Sequence, residues 1–376
     1  MARGSRLDLE QTQIVTSARR PDIALDDRVH CLEMIDGLEI GRRHVIGAAG
    51  ATIGRTAPAE IVLADSEVSR AHCRLTLAGE TLLVTDLGST NGAFIDGVRV
   101  TDITPLPVGA LLQVGRQVLK HEWRTRRDLL ASEQFDRDLE KASAYVQALL
   151  PPPVNEGPIR ADWAYYPSAK LGGDAFGYGA LSDTLFVGYL IDVSGHGAGA
   201  AMHSVAIMNL LRQRALPNAD MSKPDQVLAA LNDMFQMESH AGMYFTIWYG
   251  VYDTVSRRLD YASAGHHPGY LAPTQGAEII PMRTKNGLIG AIPGKTYKAD
   301  SITVPPGASI YLFSDGVFEI VTIDGLQWGL QDFLPLLRKP PIEGLTECQR
   351  LYREVARTAR PGGLDDDFSL LVMTFD

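Results

Sequence analysis

Between residues 29 and 123, short apolar and β-branched runs alternate with turns built from Gly, Asp and Asn. The runs cover residues 38–46, 51–53, 60–62, 72–77, 82–86, 93–95, 111–114 and 118–123. Many short strands at such close spacing predict an all-β sandwich. The pattern then changes period. Phe135, Leu139, Ala142, Val146 and Leu149 recur at 4-3-4-3 spacing before Pro151, Pro152 and Pro153, which predicts one amphipathic helix that ends at the prolines. From residue 159 onward, continuous apolar runs at 185–192, 245–253, 309–314 and 368–375 predict strands, and stretches at 198–216, 225–240 and 346–360 predict helices. That mixture predicts an α+β domain of antiparallel sheets with flanking helices. The expected division is a flexible tail at 1–27, a β-sandwich at 28–124, a linker helix at 125–150 and an α+β domain at 151–376. No internal repeat or low-complexity tract is evident.

Composition narrows the classes of function. The 376 residues are 45% hydrophobic and 21% charged, the balance of a globular chain long enough for two cores. No apolar run reaches the length of a membrane span, and residues 1–13 lack the apolar stretch of a secretory signal, so a cytoplasmic location without membrane attachment is expected. A net charge of −10 argues against nucleic acid or anionic lipid as a partner. Cys31, Cys73 and Cys348 are too few and too scattered for a disulfide framework or a cysteine zinc site.

Three blocks mark the predicted sandwich: Ile53-Gly54-Arg55, Ser69-Arg70-Ala71-His72, and Asp86-Leu87-Gly88-Ser89-Thr90-Asn91-Gly92. Each lies at a strand end, where loops can converge on a dianion with an arginine fork and short hydroxyl or amide donors. The blocks resemble the forkhead-associated (FHA) domain, which binds phosphothreonine. The resemblance implies that Arg55 and Ser69 hold the phosphate, that Arg70 and Thr90 assist, and that Asn91 fixes the peptide backbone. Gly54 and His72 take structural roles in that family. The implied partner is a phosphothreonine protein of a Ser/Thr kinase pathway or the chain's own phosphorylated tail, where Thr12 sits in an acidic context followed by Val15.

Four acidic clusters mark the second domain: Gly172-Gly173-Asp174, Asp192-Val193-Ser194-Gly195-His196, Ser314-Asp315-Gly316, and Asp365-Asp366-Asp367-Phe368-Ser369. Carboxylates that would repel one another become compatible around hard divalent cations, and such ions activate water for attack on a phosphoester. With Ala264-Gly265-His266-His267-Pro268 and Leu288-Ile289-Gly290, these clusters resemble the metal-dependent phosphatase (PPM, type 2C) superfamily, most closely its SpoIIE branch. The resemblance implies an α-β-β-α fold of two antiparallel sheets flanked by helices, and hydrolysis of phosphoserine or phosphothreonine. It implies two Mn²⁺ or Mg²⁺ ions, a third being known in the superfamily. Asp174, Asp192, Asp315 and Asp366 would be the metal ligands with the Val193 carbonyl. Asp367 is the alternative to Asp366, which is preferred because the family ligand stands three residues before the Ser or Thr of the last strand, here Ser369. His196 is a candidate proton donor, balanced against a structural role. His266, His267 and Glu319 are read as structural, and Lys170 as a surface lysine.

The implied substrate is a phosphorylated regulatory protein such as an anti-sigma-factor antagonist. The linker helix is expected either to pack on the catalytic domain or to pair within a homodimer, and to carry regulation from the phosphothreonine pocket. The rival reading is a non-catalytic phosphopeptide-binding scaffold, a pseudophosphatase.

Overall fold

The computed structural model describes residues 27–37, 39–274, 276–360 and 364–376. Apart from Asp27, the tail expected at 1–27 lies outside the described residues, and so does Thr12. The chain divides into two compact units, one ending at Glu133 and the other beginning at Gln134, so the division falls inside the predicted linker helix.

The first unit is a sandwich of two sheets. One runs in the order Arg43–Ile46, Arg28–Asp36, Gln117–Thr125, Leu111–Val114, Ala93–Ile95, Val98–Arg99. The other runs Ile61–Val62, Ala51–Gly54, Cys73–Ala78, Thr81–Asp86, Thr104–Pro105. Period-2 alternation builds the core: Ile53, Leu75 and Val84 from one sheet meet Leu32, Leu112 and Leu119 from the other, all fully buried. The sequence pattern missed the strand Arg28–Asp36, whose partner Gln117–Thr125 is some ninety residues distant. The strand expected at 38–46 contracts to Arg43–Ile46, because the chain turns through Gly41 at φ +85°.

The helix predicted at 125–150 spans Arg126–Leu149. Thr125 caps it by accepting the Asp128 N–H at 3.1 Å, and the three prolines end it. Leu129 is buried, but Phe135, the first residue of the expected seam, is 63% exposed. The other four seam residues are half-buried.

The second unit has two five-stranded antiparallel sheets. The first has the order Ile159–Tyr166, Phe368–Phe375, Ala308–Phe313, Gly269–Ala272, Ile280–Met282, and the second Ala175–Ala180, Leu185–Val193, Phe245–Asp253, Arg258–Ala264, Asp300–Thr303. The last strand shows why its sequence reads as an unbroken apolar run: Leu371, Met373 and Phe375 enter the core shared by the sheets, while Phe368, Leu370 and Val372 face the helical layer with Leu351 and Val355 of the helix Glu347–Thr358. Helices Ala198–Arg212 and Pro224–Met234 contribute Ile207, Leu211, Leu228 and Leu231 to the shared core. The helix predicted to reach residue 216 stops at Arg212, where Arg214 adopts φ +54° and Pro217 follows. Trp248 donates its Nε1–H to the Met282 carbonyl at 3.1 Å, tying one sheet to the other. Among the described residues no helix is long and apolar enough to cross a membrane.

Candidate active site and phosphopeptide pocket

The four acidic clusters come from both sheets and meet at one end of them. Asp192 and Val193 close the strand Leu185–Val193, paired with Thr246 and Phe245. Asp174 immediately precedes the adjacent strand Ala175–Ala180. Asp315 follows the strand Ala308–Phe313 of the facing sheet, and residues 365–367 lead into its neighbour Phe368–Phe375. All of them line one cavity of about 300 Å³, together with Ser194, Gly195, His196, Tyr244 and Thr246. Gly173 is needed for this approach, since a Cβ there would lie 2.8 Å from the Val193 carbonyl oxygen and 3.0 Å from that of Gly195.

The cavity concentrates negative charge where water is scarce. Burial, then Asp192 and Asp367, push the Asp174 carboxyl well above the usual range. Asp192 is pushed up to about 7 by burial, then by Asp315, Asp366 and further acids. Asp315 rises to about 6 through burial, then Asp366 and Glu319. Among the described residues the buried Oδ2 of Asp174 has no hydrogen-bond partner. An orphaned carboxylate oxygen and a carboxylate-rich lining suit a hard divalent cation. Among the described residues no three His, Cys, Asp or Glu side chains are drawn together closely enough to chelate an ion. The site is a ring of carboxylates rather than a closed chelate.

The three consecutive aspartates have different environments. Asp365 is exposed and pairs with Arg360 at 2.7 Å. Asp366 is exposed toward the cavity, its Oδ1 accepting only the neighbouring Asp367 N–H at 2.8 Å among the bonds recorded for it. Asp367 is buried, and both its oxygens accept hydrogen bonds from the segment 168–173. His196 stands exposed at the rim. His266 and His267 lie apart from the cavity lining, their rings 4.3 Å apart and tilted by 38°, each bonded through Nδ1 to the next carbonyl. Burial lowers His266 to about 4 and depresses His267 strongly, His266 adding to the latter. Lys170 pairs with Glu140 at 2.5 Å on the surface. Sequence reasoning did not single out Tyr244 or Thr246. The available signal was indirect, the antiparallel register that sets Thr246 opposite Asp192.

In the first unit, Arg55, Ser69, Arg70, Thr90 and Asn91 line a second cavity of about 520 Å³. Buried His72 joins the loops around it: its Nδ1 accepts the Ser69 N–H at 3.1 Å and its Nε2–H donates to the Gly92 carbonyl at 3.0 Å. Ser69 Oγ accepts the Thr90 N–H at 3.1 Å, and Asn91 donates to the Glu67 carbonyl at 2.8 Å. The exposed guanidinium groups of Arg55 and Arg70 have no ion-pair partner recorded among the described residues.

Two antiparallel sheets between helical layers, with a carboxylate-lined cavity at one end, give the second unit the fold of type 2C phosphatase domains, and it follows a β-sandwich of the FHA type. The family model for Stage II sporulation protein E (SpoIIE) matches residues 183–376, just over half of the chain, and the FHA domain model matches residues 51–115. The chain belongs to the SpoIIE family. It is 25% identical over 184 residues to the phosphoserine phosphatase RsbP of Bacillus subtilis, a match covering 49% of this chain and 45% of that one. It is 25% identical over 274 residues to the phosphoserine phosphatase RsbU of the same organism, covering 70% of this chain and 76% of that one. The chain thus spans about half the length of RsbP and about three quarters of RsbU. The SiaA-PP2C domain of Pseudomonas aeruginosa superposes with a TM-score of 0.55 at 20% identity, covering 65% of this chain and 99% of that one, a likeness of fold.

Proposed function

We propose that this chain is a metal-dependent protein serine/threonine phosphatase, controlled by or recruited through its phosphothreonine-binding domain. The carrying observation is the convergence of Asp174, Asp192, Asp315 and Asp366 on one cavity. These carboxylates with the Val193 carbonyl would hold two Mn²⁺ or Mg²⁺ ions, a third being compatible with the acidic lining. When bound, the ions supply charge neutralisation for the phosphoester and a nucleophilic water near neutral pH. The protein's own groups do the rest. Buried Asp174 and half-buried Asp192, crowded by like charges, would meet the cations, and His196 at the rim would hand a proton to the leaving serine or threonine oxygen.

RsbP and RsbU are named phosphoserine phosphatases, which favours a phosphoserine on a small cytoplasmic regulator, such as an anti-sigma-factor antagonist, as substrate. Arg55 and Arg70, exposed and without an ion-pair partner among the described residues, favour a doubly charged phosphothreonine ligand from a kinase pathway. Its capture would act through the helix Arg126–Leu149, whose exposed Leu130, Phe135 and Tyr145 also favour a homodimer paired along it. Hydrolysis of p-nitrophenyl phosphate with and without Mn²⁺ tests the enzyme. Turnover that requires Mn²⁺ and vanishes in Asp315→Asn supports it. A wild-type protein inert in both conditions would leave the scaffold reading. Capture of phosphoproteins on Asp315→Asn, read by phosphosite mass spectrometry, would identify the substrate.

A further inference from the structure

Asp367 is 4% exposed, yet among the described residues no lysine or arginine pairs with it. Its Oδ1 accepts the Ser168 N–H at 2.8 Å and the Ser168 Oγ–H at 3.0 Å, and its Oδ2 accepts the Gly173 N–H at 2.6 Å. Those donors bracket the loop that ends at Asp174. The main chain of Asp367 is engaged as well. Its carbonyl accepts the Ser314 Oγ–H at 2.9 Å, and Ser314 Oγ accepts the Ser369 N–H at 3.1 Å. Gly316 packs on the same carbonyl so closely that a Cβ there would lie 2.3 Å from it. One buried residue therefore touches the segments that carry Asp174 and Asp315, and it is bonded to Asp366.

We propose that Asp367 is a positioning residue: its carboxylate clamps the loop 168–173 and thereby sets Asp174 against the other three carboxylates. The proposal rests on the metal-dependent reading above and concerns how the site is aligned, not how many ligands it has. The chemistry requires a carboxylate. Three donors converge from two sides, and an asparagine amide accepts on one side only, so the variant leaves at least one buried N–H facing another N–H donor. Glycine at 172 belongs to the same device, because a Cβ there would fall 2.5 Å from Asp367 Oδ2.

The test compares wild type, Asp366→Asn, Asp367→Asn and Ser168→Ala in the full chain. Mn²⁺ titration by calorimetry gives stoichiometry and affinity, and hydrogen exchange follows the amides of residues 168–174 and of the strand Phe368–Phe375. Asp367→Asn should keep the wild-type ion stoichiometry, weaken binding by about tenfold or more, and speed exchange in 168–174 by a similar factor while the strand stays protected. Asp366→Asn should lower the stoichiometry and leave 168–174 protected. Loss of an ion in Asp367→Asn with 168–174 still protected makes Asp367 a ligand and overturns the proposal, as does a variant unchanged in both readouts. Should Asp367→Asn fail to fold, Ser168→Ala decides: weaker binding with faster exchange at 168–174 supports the clamp, and no change in either overturns it. A wild type that binds no Mn²⁺ refutes the enzymatic reading, and in that case the exchange data alone support or refute the clamp.

Discussion

Replacing Asp192 by asparagine should stabilise the metal-free protein while abolishing its activity. Asp192 lies at the inner end of its strand, and burial followed by Asp315 and Asp366 raises its carboxyl from 3.8 to about 7. Between those two values the native state binds the proton that the unfolded chain releases, so stability falls as pH rises through this window and levels off above it. For Asp192 taken alone the penalty at pH 7 is roughly 4 kcal/mol. Asp315 shares the repulsion, and one proton relieves both partners, so about half of that figure is the expected gain on substitution. A gain of ~2 kcal/mol moves the melting point of a domain this size up by about 4–8 °C. Thermal melts in EDTA at pH 4, 5, 6, 7 and 8 measure it. The difference between variant and wild type should be near zero at pH 4, grow toward pH 7 and then hold. With Mn²⁺ added, the wild type should recover or pass the variant, because a ligand bound only by the native state stabilises by mass action. An Asp192→Asn protein no more stable than wild type at pH 7–8 without metal, or equally favoured at every pH, would refute the reasoning.

Other perturbations separate the first unit from the second. Arg55→Ala removes a charged fork from the loop cavity and should weaken a phosphothreonine peptide by about 10- to 100-fold in calorimetry, with hydrolysis of p-nitrophenyl phosphate unchanged. Asp86 accepts hydrogen bonds from the Gly88, Ser89 and Ala93 amides and the Ser89 hydroxyl at 2.7–2.9 Å, so Asp86→Ala should cost on the order of 3 kcal/mol in the first unit, read by its melting point, and abolish peptide binding. Burial raises the Asp86 carboxyl, but those bonds outweigh it and hold it below its ordinary value; its contribution is present at neutral pH and is lost as the pH falls through that lowered value. Lys170→Ala breaks only an exposed pair with Glu140 and should change stability by less than about 0.5 kcal/mol in a chemical denaturation curve.

Much of the architecture was legible in the chain. Strands such as Leu185–Val193 and Phe245–Asp253 are continuous apolar runs because helices and a second sheet cover both faces, and the acidic clusters stood out because three of the four abut such a run. Less was legible where structure depends on distant partners. The strand Arg28–Asp36 has a mixed pattern and becomes a strand by pairing with Gln117–Thr125. The seam from Phe135 to Leu149 reads as a buried stripe, yet Phe135 faces solvent, since periodicity records which residues share a face and not what covers it.

The aspartates at 365–367 mark the limit most clearly. Composition makes them equivalent, and only spacing to Ser369 ranked one above the others. Tertiary structure distinguishes all three: Arg360 takes Asp365, the cavity takes Asp366, and the amides of a loop some two hundred residues earlier take Asp367. The sequence by itself determined which chemical groups are available and which local elements carry them, because propensity and periodicity act over a few residues. The fold decided which of those groups share a cavity, which are buried and what each one faces, because hydrogen bonding, desolvation and charge repulsion depend on distances in space that the order of residues does not contain.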